Sequence, residues 1–234
     1  MNKINFNTEI LLMSVFNVLL SKVRFYFILL VVLHSSSLFG QKPNFQPGTY
    51  FTIEQFRTGI SDKRFNLNIE KRSGSDITMN GGNEYKITSE SDLIKKSTIK
   101  KEIYAYVKND SIFINGWNHK LQTWYGLALT SGNYILFKGC LRNEDAAAFA
   151  MAGGLIGGII ASKASDLYIL SLRTGNVNYC SIDYLEKRIE ENKPDLLTPF
   201  KNESLGLKNR ELAPVAIKYL NILNEFVSPQ PISN

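Results

Sequence analysis

Cysteine and histidine are scarce. Two Cys in 234 residues cannot build a disulfide-dense scaffold or a four-sulfur zinc site, and two His cannot supply a centre of three imidazoles. No H-E-x-x-H, G-x-S-x-G, phosphate loop or G-x-G-x-x-G occurs, so the patterns that place a metal, a nucleophilic serine or a nucleotide are missing. These absences count against a periplasmic hydrolase, and no cofactor is expected. No apolar stretch reaches the ~20 residues of a membrane-spanning helix. The charge excess is small, 27 Lys+Arg against 21 Asp+Glu. It is spread along the chain rather than gathered on one face, so no nucleic-acid partner is expected. What the chain has is apolar material: 44% hydrophobic residues, with 14 Phe and 11 Tyr. That is ample for a core and excludes wholesale disorder.

Residues 1–40 read as an address rather than as fold. Lys22 and Arg24 precede the apolar run Phe25 to Leu33, then His34 to Ser37, then Leu38-Phe39-Gly40 before Gln41. This is the order of a secretory signal peptide: basic region, apolar region of about 7–15 residues, small residue at the cut. The expected cut follows Gly40, and Met13 is an alternative start. An uncleaved anchor is the other reading. Cleavage removes Lys3, Lys22, Arg24 and Glu9, leaving 24 basic and 20 acidic side chains of the original 27 and 21. The expected location is exported, in the periplasm or cell envelope.

The middle of the chain alternates. Phe65, Leu67 and Ile69 share one face of a strand over Phe65 to Lys71. Asn80-Gly81-Gly82-Asn83 is a turn signal, with strands expected at Asp76 to Met79 and Tyr85 to Thr88. Lys95, Lys96, Lys100 and Lys101 read as a solvated loop and strand entry. Glu102 to Val107 and Ser111 to Trp117 form a hairpin, Leu121 to Leu129 and Asn133 to Cys140 a second, Leu167 to Arg173 and Asn176 to Ser181 a third. Earlier, a short helical turn starts near Thr52.

The C-terminal third changes period. Ile182, Leu185 and Ile189 share a helix face from about Ser181 to Glu191, which Pro194 stops. Asp195 caps a short turn, Leu196 to Phe200. Ala213 to Phe226 is helical, with Ile217, Leu220, Leu223 and Phe226 in register and Pro214 in the first turn. Residues 227–234 read as a loose tail. The expectation is one α+β domain over residues 41–226. It is an antiparallel β-meander of about six to eight strands, sandwich or partial barrel, with an inserted Gly-rich helix and two or three C-terminal helices.

That insert, Ala146 to Ala161, is sixteen residues without a charge. Gly153 and Gly157, and Gly154 and Gly158, are four apart, so on a helix each pair shares one face and admits a close-packed neighbour. Three readings stand: a buried helix against the sheet, a glycine-zipper segment in contact with a membrane, and an apolar loop. Cys140 and Cys180 end two predicted strands and are either a disulfide or two separately buried thiols. Tyr104, Tyr106, Trp117 and Trp124 are candidate ligand-facing aromatics for a glycan or an apolar ligand, against the alternative of a sheet covered on both sides. His119, the one histidine after residue 40, sits in a polar connection and reads as a turn residue without a role. Glu102 and Asp110 border the first hairpin, but glycosidase chemistry needs two carboxylates about 5–10 Å apart across a cleft.

Several short motifs occur in a fixed order: Phe39-Gly40-Gln41, Gly48-Thr49-Tyr50, Ile53-Glu54-Gln55-Phe56, Asp110 to Asn115, a Gly-rich stretch before Tyr168 to Gly175, Lys193-Pro194-Asp195-Leu196, and Tyr219-Leu220. In that order the chain resembles uncharacterised exported proteins of Bacteroidetes, over most of residues 48–224. The resemblance implies export and one domain, and carries no activity or catalytic residue. The function expected from sequence is therefore a non-catalytic binding or structural module for another envelope component. The runner-up is membrane association through Ala146 to Ala161.

Overall fold

The computed structural model describes residues 44–141, 166–208 and 211–226. The signal-peptide expectation for 1–40, the glycine face at 153, 154, 157 and 158, and the tail at 227–234 lie outside the described residues. In chain order the elements are β1 (Gly48–Tyr50), α1 (Ile53–Thr58), β2 (Asn68–Lys71), α2 (Gly74–Asn80), β3 (Tyr85–Thr88), α3 (Lys96–Lys101), β4 (Ala105–Lys108) and β5 (Ser111–Asn115). A 3₁₀ turn (Gly116–His119), β6 (Tyr125–Leu127), β7 (Tyr134–Gly139), β8 (Asp166–Ser171) and β9 (Val177–Tyr179) follow, then α4 (Ile182–Asn192), α5 (Leu197–Ser204) and α6 (Ala213–Phe226). The fold is α+β, as the sequence pattern implies.

Six strands pair antiparallel in the order β1-β4-β5-β6-β3-β2 and curl into a half-barrel. Three more pair in the order β7-β8-β9. The apolar residues sort into three layers. Ile87, Ile99, Tyr106, Phe113 and Tyr125 pack under α3 on one face of the large sheet. Ala105, Val107, Ile114, Ile135, Phe137 and Leu170 fill the space between the sheets. Leu136, Ile169, Leu185, Phe200, Leu220 and Leu223 join the other face of the small sheet to the C-terminal helices. Each fully buried aliphatic or aromatic side chain contributes about 1.5–3 kcal/mol. The centres of both sheets are thus covered on both faces, while β2, at one edge of the large sheet, stays largely exposed.

Local chemistry sets the boundaries. Thr52 caps α1 by accepting from Gln55 N–H, and Ser181 caps α4 by accepting from Tyr184 N–H. Asn109 (φ 50°) and Asp110 (φ 58°) make the two-residue turn between β4 and β5, where Lys108 faces Ser111. Positive φ at both central positions is the hairpin turn that matches strand twist, and Asn and Asp tolerate it best after Gly.

Four expectations are corrected. Asp76 to Met79 belongs to helix α2, not to a strand: Ser73 accepts from Asp76 N–H, and β3 pairs instead with β2. Lys96 to Lys101 is helix α3 rather than loop, with Ile99 buried beneath it. Asp195 caps nothing; it lies inside a 3₁₀ turn, Pro194–Leu196, that runs into α5. Strict alternation over Glu102 to Val107 would put Ile103, Ala105 and Val107 on one face and Tyr104 and Tyr106 on the other, but it breaks just before β4: Ile103 packs under α3 and Tyr104 packs between the sheets.

The second expected hairpin is paired at its tip and at its base, where Leu121 bridges Leu141 and Gln122 N–H donates to Cys140 C=O (2.8 Å), but not as one continuous ladder. β6 pairs with β5 and β3, then crosses to β7 through the Ala128–Phe137 bridge and the Leu129 N–H to Leu136 C=O bond. At the crossing a Cβ on Gly126 would lie 2.0 Å from the Lys138 carbonyl oxygen, so only glycine fits. The outer edge of β7 is then closed by side chains. Asn224 on α6 accepts from Tyr134 N–H (2.8 Å) and donates to Tyr134 C=O (2.9 Å), and Thr130 Oγ1 accepts from Leu136 N–H (2.8 Å). Asn83 accepts from Cys140 N–H (2.7 Å). An edge strand left unpaired would template association with another chain.

Candidate functional site

A cleft of about 470 Å³ opens where the β4–β5 turn faces the loop before β2. Residues from three stretches line it, including Gly48, Lys63, Phe65, Asn66, Tyr106, Lys108, Asn109 and Asp110. The loop is pinned by a two-way backbone bridge: Thr49 N–H donates to Asp62 C=O (2.9 Å) and Asp62 N–H to Thr49 C=O (2.7 Å). Gly48 (φ 134°) passes so close that a Cβ would lie 2.7 Å from Ser61 Oγ. The Arg64 guanidinium donates to the Asp62 carboxylate and holds its pKa below the usual carboxylate range.

Phe65 is half-buried, its ring edge-on to Phe51 at 6.1 Å with the Arg64 guanidinium 5.3 Å away. The Tyr106 hydroxyl donates to Leu67 C=O (3.3 Å) and accepts from Leu67 N–H (3.1 Å), and burial raises its pKa. Lys108 Nζ donates to Leu67 C=O (2.9 Å) and to Asn66 Oδ1 (3.2 Å). Tyr106 and Lys108 therefore tie the hairpin across to the loop and fix the cleft walls. Lys63, Asn66, Asn109 and Asp110 are exposed at its rim. A second, smaller cleft of about 230 Å³ lies on the other side of Asp110, lined also by Thr130, Ser131 and Asn221.

Of the four aromatics singled out in the sequence, Tyr106 alone lines the cleft. Tyr104 is buried between the sheets. Trp124 is 8% exposed with Lys100 Nζ 4.5 Å from its ring centroid, and Trp117 is half-buried with Lys101 Nζ at 5.0 Å. Cys140 and Cys180 are buried thiols, not a disulfide; Cys180 packs with the C-terminal helices, and burial pushes its pKa up to about 12. Glu102 accepts from Thr98 Oγ1 at the end of α3 and is not among the cleft residues.

His119 departs from its expected place. The 3₁₀ turn tucks its ring between Tyr104 (5.1 Å) and Phe137 (6.3 Å), and Nε2 is buried without a hydrogen-bond partner among the described residues. The hydroxyls of Tyr104 and Tyr168, in the same layer, are likewise unpartnered. Burial lowers the His119 pKa to about 4. Among the described residues no group of three His, Cys, Asp or Glu is placed to hold a metal ion, and no helix is long and apolar enough to cross a membrane.

Lys63, Phe65, Asn66 and Lys108 escaped the sequence reading. Phe65 carried a core-strand signal, and nothing local links residues 63–66 to 106–110, some forty positions later.

A family of unknown function, DUF6563, matches residues 48–227, and the chain belongs to that family. The matched span holds every strand and helix described above and all but the N-terminal lip of the cleft. Searches of curated proteins and of solved structures find no match.

Proposed function

We propose that this chain is an exported cell-envelope protein that acts by binding, and that its ligand is an envelope carbohydrate held in the cleft between the β4–β5 turn and residues 63–66. The observation that carries the reading is the cleft's lining: the half-buried Phe65 ring, with Tyr106 buried in the wall, beside two amides, two ammonium groups and one carboxylate. Aromatic faces accept the C–H surfaces of a sugar, and amides and charged groups at the rim meet its hydroxyls. The walls are fixed in advance by the Tyr106 and Lys108 bonds to Leu67, so little ordering entropy opposes binding. Export rests on the basic, apolar, small-residue order of residues 22–41.

The test is retention of the full chain on purified cell-wall and outer-surface glycans. Phe65→Ala is expected to weaken retention roughly tenfold, about 1.4 kcal/mol. Asn66→Ala, at an exposed position, should weaken it without disturbing the core. Wild-type retention by both variants, or no retention of the wild type on any glycan, would overturn the reading.

A further inference from the structure

Helix α3 presents an unbalanced surface. Ile99 faces the core, and the Tyr125 hydroxyl donates to Ile99 C=O. Asn115 Nδ2 ties down Lys100 C=O (3.1 Å) and Ile103 C=O (2.7 Å), and Asn118 Nδ2 adds a second bond to Ile103 C=O (2.8 Å). The helix is thus held rigidly while Lys95, Lys96 and Lys101 stay exposed. None of these, nor Lys100, forms an ion pair among the described residues. Burial lowers the Lys100 pKa, and the charges that act on it, Lys96, Lys86, Lys101 and Arg72, are all cations and lower it further. The nearby acids are turned elsewhere or stand apart. Glu102 accepts from Thr98 Oγ1, Glu90 accepts from Asn68, and Glu70 pairs with Lys86 at 3.7 Å. Asp92 is exposed and pairs with none of the lysines.

Two residues before Lys95, Leu93 is 78% exposed. Under Lys101 lies the half-buried Trp117. Concentrated ammonium groups call for anionic phosphates. An exposed aliphatic beside them, with an indole at the boundary, adds a use that a soluble polyanion does not have. We propose that α3 and the loop before it dock the protein onto an anionic phospholipid surface, with Lys95, Lys96 and Lys101 at the headgroup phosphates and Leu93 inserted between headgroups.

The test is co-sedimentation of the full chain with vesicles of phosphatidylcholine alone and of phosphatidylcholine with one fifth phosphatidylglycerol. The readout is the difference between the two, since apolar segments elsewhere in the chain would act on both. Binding to the anionic vesicles should exceed that to neutral ones and weaken when salt rises from about 50 to 300 mM. At about fivefold per lysine, Lys95→Gln/Lys96→Gln/Lys101→Gln should lose roughly a hundredfold in affinity for anionic vesicles. Leu93→Ser should weaken binding with the charge intact. A triple variant with unchanged melting temperature and wild-type vesicle binding overturns the proposal, as does equal binding to neutral vesicles. Leu93→Ser without effect, together with full displacement by soluble polyphosphate, overturns the lipid assignment.

Discussion

His119 occupies a site that suits only one of its protonation states. Its ring lies between the aromatic rings of Tyr104 and Phe137, and among the described residues no acid acts on it to stabilise a charge. Burial lowers its pKa to about 4, against 6.5 in the unfolded chain. The unfolded chain therefore binds the extra proton between those values. The stabilising contribution is complete above pH 6.5, falls as pH drops from 6.5 to 4, and changes no further below that. Asp166, raised by burial, runs the opposite way, because its contribution is lost as pH rises. Asp76, held at about 2 mainly by Arg72, acts in a lower window: its contribution is present above 3.8 and lost as pH falls through 2. Comparison with His119→Phe isolates the imidazole. Between pH 7 and pH 4.5 the wild type should lose about 2 kcal/mol more stability than the variant in urea unfolding. Parallel pH profiles for the two proteins would contradict this placement of His119.

Among the elements, β7 shows how side chains complete what strand pairing leaves open. Its partner β8 satisfies one edge, and on the other the Asn224 amide stands in for a neighbouring strand at Tyr134. Asn224→Ala should cost about 2–4 kcal/mol, two lost bonds plus an exposed pair of buried backbone groups. Asn221→Ala, one turn earlier on the exposed side of α6, should change the urea midpoint hardly at all. Equal effects of the two would refute the edge role. α6 and α4 were legible in sequence because an apolar stripe of period 3.6, a Ser cap and Pro214 all act within one turn. The role of Asn224 was not legible, since an amide within an apolar stripe reads as a surface residue until its partner ninety positions away is known. Helix α2 is hidden behind a turn signal for a related reason. The Gly81-Gly82 signal marks a real turn, but Ser73 and the Arg72–Asp76 ion pair (2.6 Å) make the preceding residues a helix.

For the whole molecule, the class and the antiparallel pairing follow from period-two alternation and turns, and both are visible in sequence. The layering is not. Ala105 and Tyr106 are neighbours that end up in different layers, and that separation depends on a second sheet whose strands lie thirty to seventy residues further on. The cleft is hidden for the same reason, because the β1 entry, the 61–66 loop and the β4–β5 turn meet only after the half-barrel curls. Two surfaces with different chemistry result: an aromatic and amide-lined cleft, and a lysine face on α3. The two proposals use one surface each: the cleft for an envelope carbohydrate, the α3 face for an anionic membrane.

The central claim is that the cleft is the ligand site. Hydrogen–deuterium exchange of the full chain, measured by mass spectrometry with and without solubilised cell-wall glycan, tests it directly. Slower exchange in peptides covering Lys63 to Leu67 and Tyr106 to Ser111, with α3 and α6 unchanged, is the result expected. Unaltered exchange across both segments, or protection confined to other elements, would contradict it.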